Sequence, residues 1–184
     1  MQMDKIENYV EQVLYYSKSN ETEKDYIIKK VSLDESVRNV IKRNYRDMIA
    51  KRIKVDMADL SSIVYSDPKW IEFIMNQIVV NSIKYSKDKN SMIKISSEEL
   101  KNSVTLTIED NGIGIPEKDV KRVFDKGFTG ENGRKYGKST GIGLYLCRKL
   151  CLRLGIGIKL QSEEGKYTKV IITFPQFHYT NIIQ

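Results

Sequence analysis

Residues 104–116, VTLTIEDNGIGIP, decide the fold. Side chains alternate along a strand, so Val104, Leu106 and Ile108 share one face and Thr105, Thr107 and Glu109 the other. Asp110 continues the apolar face. A carboxylate there is costly unless a donor reaches it. The turn after it, Asn111-Gly-Ile-Gly-Ile-Pro116, carries two glycines that let the backbone come close to something flat. The amino group of an adenine ring would satisfy Asp110 and use that space. Taken alone, a Gly-x-Gly leaves a plain Asp-Asn-Gly turn as the stronger reading.

Upstream, Asp67-Pro68 opens a helix over 68–85, with Asp as N-cap and Pro at the first helical position, where its missing N–H costs nothing. Trp70, Ile71, Ile74 and Ile78 form its core stripe. Gln77, Asn81, Lys84 and Tyr85 form a second stripe at spacings of three and four. Two amides, a cation and an aromatic are poor core material, but they suit a magnesium ion, a phosphate and a purine. One Asn carbonyl plus phosphates is enough protein for Mg²⁺, which keeps several waters. The alternative is an ordinary solvated helix face.

Downstream, Ser139-Thr-Gly-Ile-Gly-Leu144 is a Gly-rich turn running into a helix over 141–154, which places free N–H groups and a positive dipole end where an anion can sit. Between the two glycine motifs lies FDKGFTGENGRKYG at 124–137. Its glycines (127, 130, 133 and 137) make it mobile, and Lys126, Arg134, Lys135 and the following Lys138 make it cationic. It reads as a lid closing over phosphates.

The rest of the chain fits a mixed sheet with helices on one face, an α/β sandwich. Strands are expected at 27–33, 53–57, 63–65, 92–96, 158–161 and 168–174, with a helix capped by Asp34 and running to about residue 51. Residues 6–17 carry an apolar stripe (Ile6, Tyr9, Val10, Val13, Leu14) that a lone helix cannot bury, followed by a polar linker. The expected organisation is therefore a remnant of a neighbouring helical element plus linker at 1–25, a compact domain at 26–178 and a tail at 179–184.

With 184 residues, 40% hydrophobic and 30% charged, the composition is that of a soluble globular protein. No apolar run reaches the ~20 residues of a membrane helix, and Met1-Gln2-Met3-Asp4 has no secretion-signal pattern. The chain reads as a cytoplasmic piece. Its net charge of +7 comes from scattered lysines without a basic block, which argues against a nucleic-acid partner. Cys147 and Cys151 lie on one helix face, too few for zinc, and read as core packing. The single histidine, His178, sits near the C-terminus without helical context and is no phospho-acceptor. Gly155 reads as a helix stop.

The order of these pieces resembles the four boxes of the GHKL, or Bergerat-fold, ATPases. Its wording is closest to sensor histidine kinases: NSIKYS at 81–86, DNGIGI at 110–115, FDKGFT at 124–129 and STGIGLYL at 139–146. Residues 6–17 also resemble the end of the dimerisation helix in Gram-positive kinases that sense peptide antibiotics, the bacitracin type. The resemblance implies a two-layer Bergerat sandwich with an ATP lid, and ATP with Mg²⁺ as ligands. It implies Asn81 on Mg²⁺, Lys84 on a phosphate and Tyr85 beside adenine. Asp110 would bind the adenine amine, with Gly112, Gly114 and Ile115 shaping that wall. Phe124, Phe128 and Lys138 would belong to the lid, and Thr140, Gly141, Gly143 and Leu144 would hold phosphates. Thr168 would close the set, although Tyr167 stands where relatives often carry Gly.

Gln77 departs from the Glu that serves as general base in the hydrolysing relatives. It cannot take a proton but can orient a group that carries one, which favours transfer to a histidine nucleophile. The implied partners are a dimerisation domain of the same parent, carrying that histidine, and a response regulator. The parent would be a homodimer anchored in the bacterial membrane, and this piece a monomer that does not phosphorylate itself. Other GHKL ATPases or serine kinases, and a nucleotide-binding module without catalysis, are the alternatives.

Overall fold

The computed structural model describes residues 26–135 and 140–176. The helix expected at 6–17, its linker, Lys138 and His178 lie outside them. In chain order the elements are β1 (Lys29–Ser32), α1 (Leu33–Ala50), β2 (Lys54–Ala58), β3 (Ile63–Ser66), α2 (Pro68–Lys84), β4 (Met92–Leu100) and β5 (Ser103–Asp110). Then follow α3 (Glu117–Val120), α4 (Gly130–Lys135), α5 (Gly143–Arg153), β6 (Gly157–Glu163) and β7 (Tyr167–Pro175).

Five strands form a mixed sheet in the order β2-β4-β5-β7-β6, and β1 pairs with β3 in a small second sheet. β2 and β4 are parallel, as the crossover through α2 requires. The other pairs are antiparallel. Ile93 and Ile95 of β4, Val104, Leu106 and Ile108 of β5, and Val170, Ile172 and Phe174 of β7 are buried on one face. The opposite face is polar, with Glu109 and Lys169 paired across β5 and β7 at 2.7 Å. Among the described residues helices cover one face only, and the two-layer α/β expectation holds.

That layer is built from the apolar stripes of α1 (Val37, Val40, Met48), α2 (Trp70, Ile71, Ile74, Ile78) and α5 (Leu146, Cys147, Leu150, Cys151). Both cysteines are free and buried, and burial pushes both thiols up, that of Cys151 to about 12. They are inert core residues, as expected. α1 and α2 are locked by a buried amide pair, Asn44 Nδ2 donating to Asn76 Oδ1 at 2.7 Å. Lys51, after α1, donates to the carbonyls of Ile83 (2.6 Å) and Lys84 (3.3 Å). A cation thus satisfies orphan acceptors at the C-terminus of α2, where the polar stripe ends.

Asp67 caps α2 as expected, its carboxylate accepting from Lys69 N (3.0 Å) and Trp70 N (3.3 Å). Gly155 ends α5 with φ +66°. Three expectations need correction. The first strand stops at Ser32, whose hydroxyl caps α1 by accepting from Glu35 N at 3.3 Å. Leu33 is fully buried as the first helical residue, so burial draws the helix start forward and leaves Asp34 in the first turn. The Gly-rich region after Asp110 contains two short helices, α3 and α4, where only irregular chain was expected. Finally, α5 starts at Gly143, because Gly141 at φ +66° cannot join a right-handed helix.

Candidate functional site

The site is assembled where α2 ends, β5 ends and the β6–β7 turn meets them. The alternation of β5 carries Asp110 into the interior, where it is 7% exposed. Its Oδ1 accepts from Gly112 N at 3.0 Å and its Oδ2 from the Ser82 hydroxyl at 2.7 Å. Burial outweighs both donors and raises the carboxyl to about 6; the neighbouring Glu109 adds to the rise and Lys87 opposes it. A carboxylate offers about four lone-pair sites. Two are used by the described residues, leaving acceptor capacity for a further donor.

The loop after Asp110 is clamped on both sides. Ile113 N donates to the Tyr85 carbonyl at 3.0 Å, and Gly165 N to the Ile113 carbonyl at 2.7 Å. Lys87 Nζ reaches the Gly165 carbonyl at 2.8 Å. Both glycines come close to the chain's own backbone: a Cβ on Gly112 would strike the Tyr85 carbonyl, and one on Gly114 the Glu163 carbonyl. Gly114, at φ +64°, is also in the left-handed region. The glycines shape the wall by letting it pack. Ile115 N donates to Ser162 Oγ at 2.9 Å, and Ser162 Oγ lies 3.1 Å from Thr168 Oγ1. Thr168 is the cross-strand partner of Asp110, so the expected Thr is beside the acid despite Tyr167.

On α2, Gln77 is buried, and Asn81, Lys84 and Tyr85 are half-buried. The Lys84 ammonium stands over the Tyr85 ring, 5.2 Å from its centroid. A half-buried cation three residues after an amide on the same helix suits an anion. Among the described residues no group of three His, Cys, Asp or Glu could hold a metal. A metal here would take the Asn81 carbonyl together with ligand oxygens.

The second cluster is the lid base. Gly127 N donates to the Gly141 carbonyl at 3.0 Å, joining the FDKGFT motif to the second glycine motif. A Cβ on Gly141 would collide with Gly127 and the Phe128 nitrogen. Phe124 is half-buried against the core, and Arg122 stacks on Phe128 at 4.4 Å. Thr140 is exposed, its hydroxyl accepting from Ile142 N at 3.4 Å. Gly143 and Leu144 form the first turn of α5, which has no side-chain cap. α5 packs on α2, with Cys147 Sγ 3.9 Å from the Ile74 carbonyl, and so ties the two clusters together. The contacts of Lys138 fall outside the described residues.

Sequence reasoning missed Ser82, Ser162 and Lys87. All three act over long separations, 28 residues for Ser82 to Asp110, 47 for Ile115 to Ser162 and 78 for Lys87 to Gly165. The helical spacing of Ser82 to the core stripe was the one available clue.

Residues 66–178 match the family described as histidine kinase-, DNA gyrase B-, and HSP90-like ATPase. Sensor histidine kinase YxdK of Bacillus subtilis is 37% identical over 92% of this chain and 52% of its own length. Sensor protein BceS of the same organism is 36% identical over 93% and 51%. The chain spans about half the length of these relatives. The solved catalytic domain of histidine kinase ThkA superimposes with a TM-score of 0.69 at 25% identity, covering 82% of this chain and 98% of that one. ThkA in complex with the response regulator protein TrrA superimposes at 0.69, 22% identity, covering 98% and 50%.

Proposed function

The chain belongs to the histidine kinase-, DNA gyrase B-, and HSP90-like ATPase family, and on that premise we propose that it is the catalytic domain of a two-component sensor histidine kinase. It binds ATP with Mg²⁺ and passes the γ-phosphoryl group to a histidine on a dimerisation domain, for relay to a response regulator. Its relatives are sensor kinases, and one neighbouring kinase was solved with a response regulator. The parent protein is a membrane-anchored homodimer in this reading; no helix among the described residues is long and apolar enough to cross a membrane.

The observation that carries the reading is Asp110: buried, held by two internal donors, and left with acceptor capacity. The adenine amine supplies the missing donor. Tyr85 flanks the base, and Lys84 meets a phosphate. The uncapped first turn of α5, with Gly141, Gly143 and Leu144, receives phosphate oxygens at its positive end. Asn81 holds Mg²⁺, which neutralises charge on the phosphates when bound. Gln77 orients without taking a proton, so the nucleophile must bring its own basicity. The segment from Phe124 to residue 135 lies between the two glycine motifs and covers the triphosphate side in this reading. The chain mostly positions and excludes water, and its catalytic group set is Gln77, Asn81 and Lys84.

The test supplies the chain and γ-labelled ATP to the purified dimerisation domain of its parent. Acid-labile label on the histidine of that domain is expected. Tight nucleotide binding without transfer would mean a binding module that lacks catalysis.

A further inference from the structure

One buried side chain of the pocket carries no role in the four motifs. Ser82 is 4% exposed on α2, and its hydroxyl donates to Asp110 Oδ2 at 2.7 Å. The other carboxylate oxygen is held by the Gly112 N–H at 3.0 Å. The terminal torsion of an aspartate is broad and soft when left alone. Two donors on different oxygens, one from a helix and one from the loop, remove that freedom. The unused lone pairs then point in a fixed direction.

We propose that Ser82 is a positioning residue of the base pocket, acting through Asp110 to hold its carboxylate in the rotation that meets the exocyclic amine of an adenine nucleotide. This rests on the reading of Asp110 as the partner of adenine. Preorganising an acceptor before binding reduces the ordering cost that the ligand would otherwise meet. The hydroxyl also favours the ionised carboxyl, because a donor stabilises the charged form. Around Asp110, burial and Glu109 disfavour that form, while Ser82, the Gly112 N–H and Lys87 favour it. Removing Ser82 therefore costs both orientation and charge.

The experiment is calorimetric titration of the full chain with a non-hydrolysable ATP analogue and Mg²⁺, from pH 5.5 to 8. Four proteins are compared: the parent sequence, Ser82→Ala, Ser82→Thr and Asp110→Asn. Ser82→Ala is expected to weaken binding about tenfold at pH 7, the scale of one hydrogen bond to a charged group. Its loss of affinity on acidification should begin at a higher pH, and Ser82→Thr should restore both. A purely structural serine would not move the pH profile. Wild-type affinity and profile in Ser82→Ala, with binding lost in Asp110→Asn, would overturn the role of Ser82 and leave the pocket reading intact. Unchanged binding in Asp110→Asn would overturn the pocket reading itself. Should Ser82→Ala lose its melting transition, Ser82→Cys keeps the volume and weakens the donor; it must shift the profile in the same direction or the proposal fails.

Discussion

Asp67 and Asp110 are the same residue at nearly the same depth, 5% and 7% exposed, one before the start of α2 and one bonded to its last turns. Asp67 is spent on its own backbone. It accepts from Lys69 N, Trp70 N and, through Oδ2 at 2.9 Å, Ile27 N. Asp110 has one backbone donor and one hydroxyl, and burial lifts it to about 6. The first is a structural cap that fixes the helix and ties down the segment leading into β1. The second is an acid held ready for a donor from outside. The same contrast separates the two helix starts: Asp67 closes that of α2, whereas the first turn of α5 follows a left-handed Gly141 and has no side-chain cap.

The largest expected effect breaks the comparison at Asp110. Asp110→Asn should weaken ATP binding about 100-fold, because an amide presents a mixed donor and acceptor edge to the adenine amine and a hydrogen bond to a charged group carries up to ~3 kcal/mol. Thermal melting at pH 7 should show no loss of stability, since a desolvated charge has gone. Asp67→Ala should do the reverse. It should cost about 2 kcal/mol of stability through the lost cap, read as a lower Tm, with nucleotide affinity in the folded protein nearly unchanged.

A pH series sharpens the contrast. The folded Asp110 carboxyl is raised from 3.8 to about 6, so the native state holds that proton more tightly than the unfolded chain. Its contribution to stability is fully present below pH 3.8 and is lost as pH rises through about 6. At neutral pH the ionised form leaves the fold less stable by up to ~3 kcal/mol. Nucleotide binding should respond in the opposite sense. The adenine amine needs the carboxylate, so affinity should hold above pH 6 and fall about tenfold per pH unit below it. A flat affinity profile from pH 5 to 7 contradicts the assignment. The smallest effect concerns the helix starts. Gly141→Ala, at φ +66° and against the Gly127 backbone, should cost about 1–2 kcal/mol locally. It should weaken ATP while leaving adenosine binding intact, because the base corner is untouched.

Much of this was legible in the sequence because it is local. Period-two alternation put Asp110 inside, the Asp67-Pro68 pair opened α2, and helical spacing put Cys147 and Cys151 in the core. The motif order fixed the family before any coordinates. What escaped depends on tertiary approach. Ser32, not Asp34, caps α1 because burying Leu33 decides where the helix begins. The close approaches of Gly112 to Tyr85 and of Gly114 to Glu163 could not be foreseen from a turn motif. Ser82, next to Asn81, gains its partner only where the strand end folds against it. The helices at 117–120 and 130–135 span only four and six residues, too short for a helical period to show, and Asp119 accepts from Glu131 N at 2.9 Å to join them.

The central claim is that an adenine ring enters the cleft at Asp110 and not the corner at Asp67. Titrating the ¹⁵N-labelled chain with an ATP analogue and Mg²⁺, and following the backbone amides by NMR, tests it most directly. The account predicts large shifts at Ser82, Tyr85, Gly112 and Ile113, and none at Lys69 and Trp70. Still amides at Gly112 and Ile113 under saturating nucleotide would contradict it.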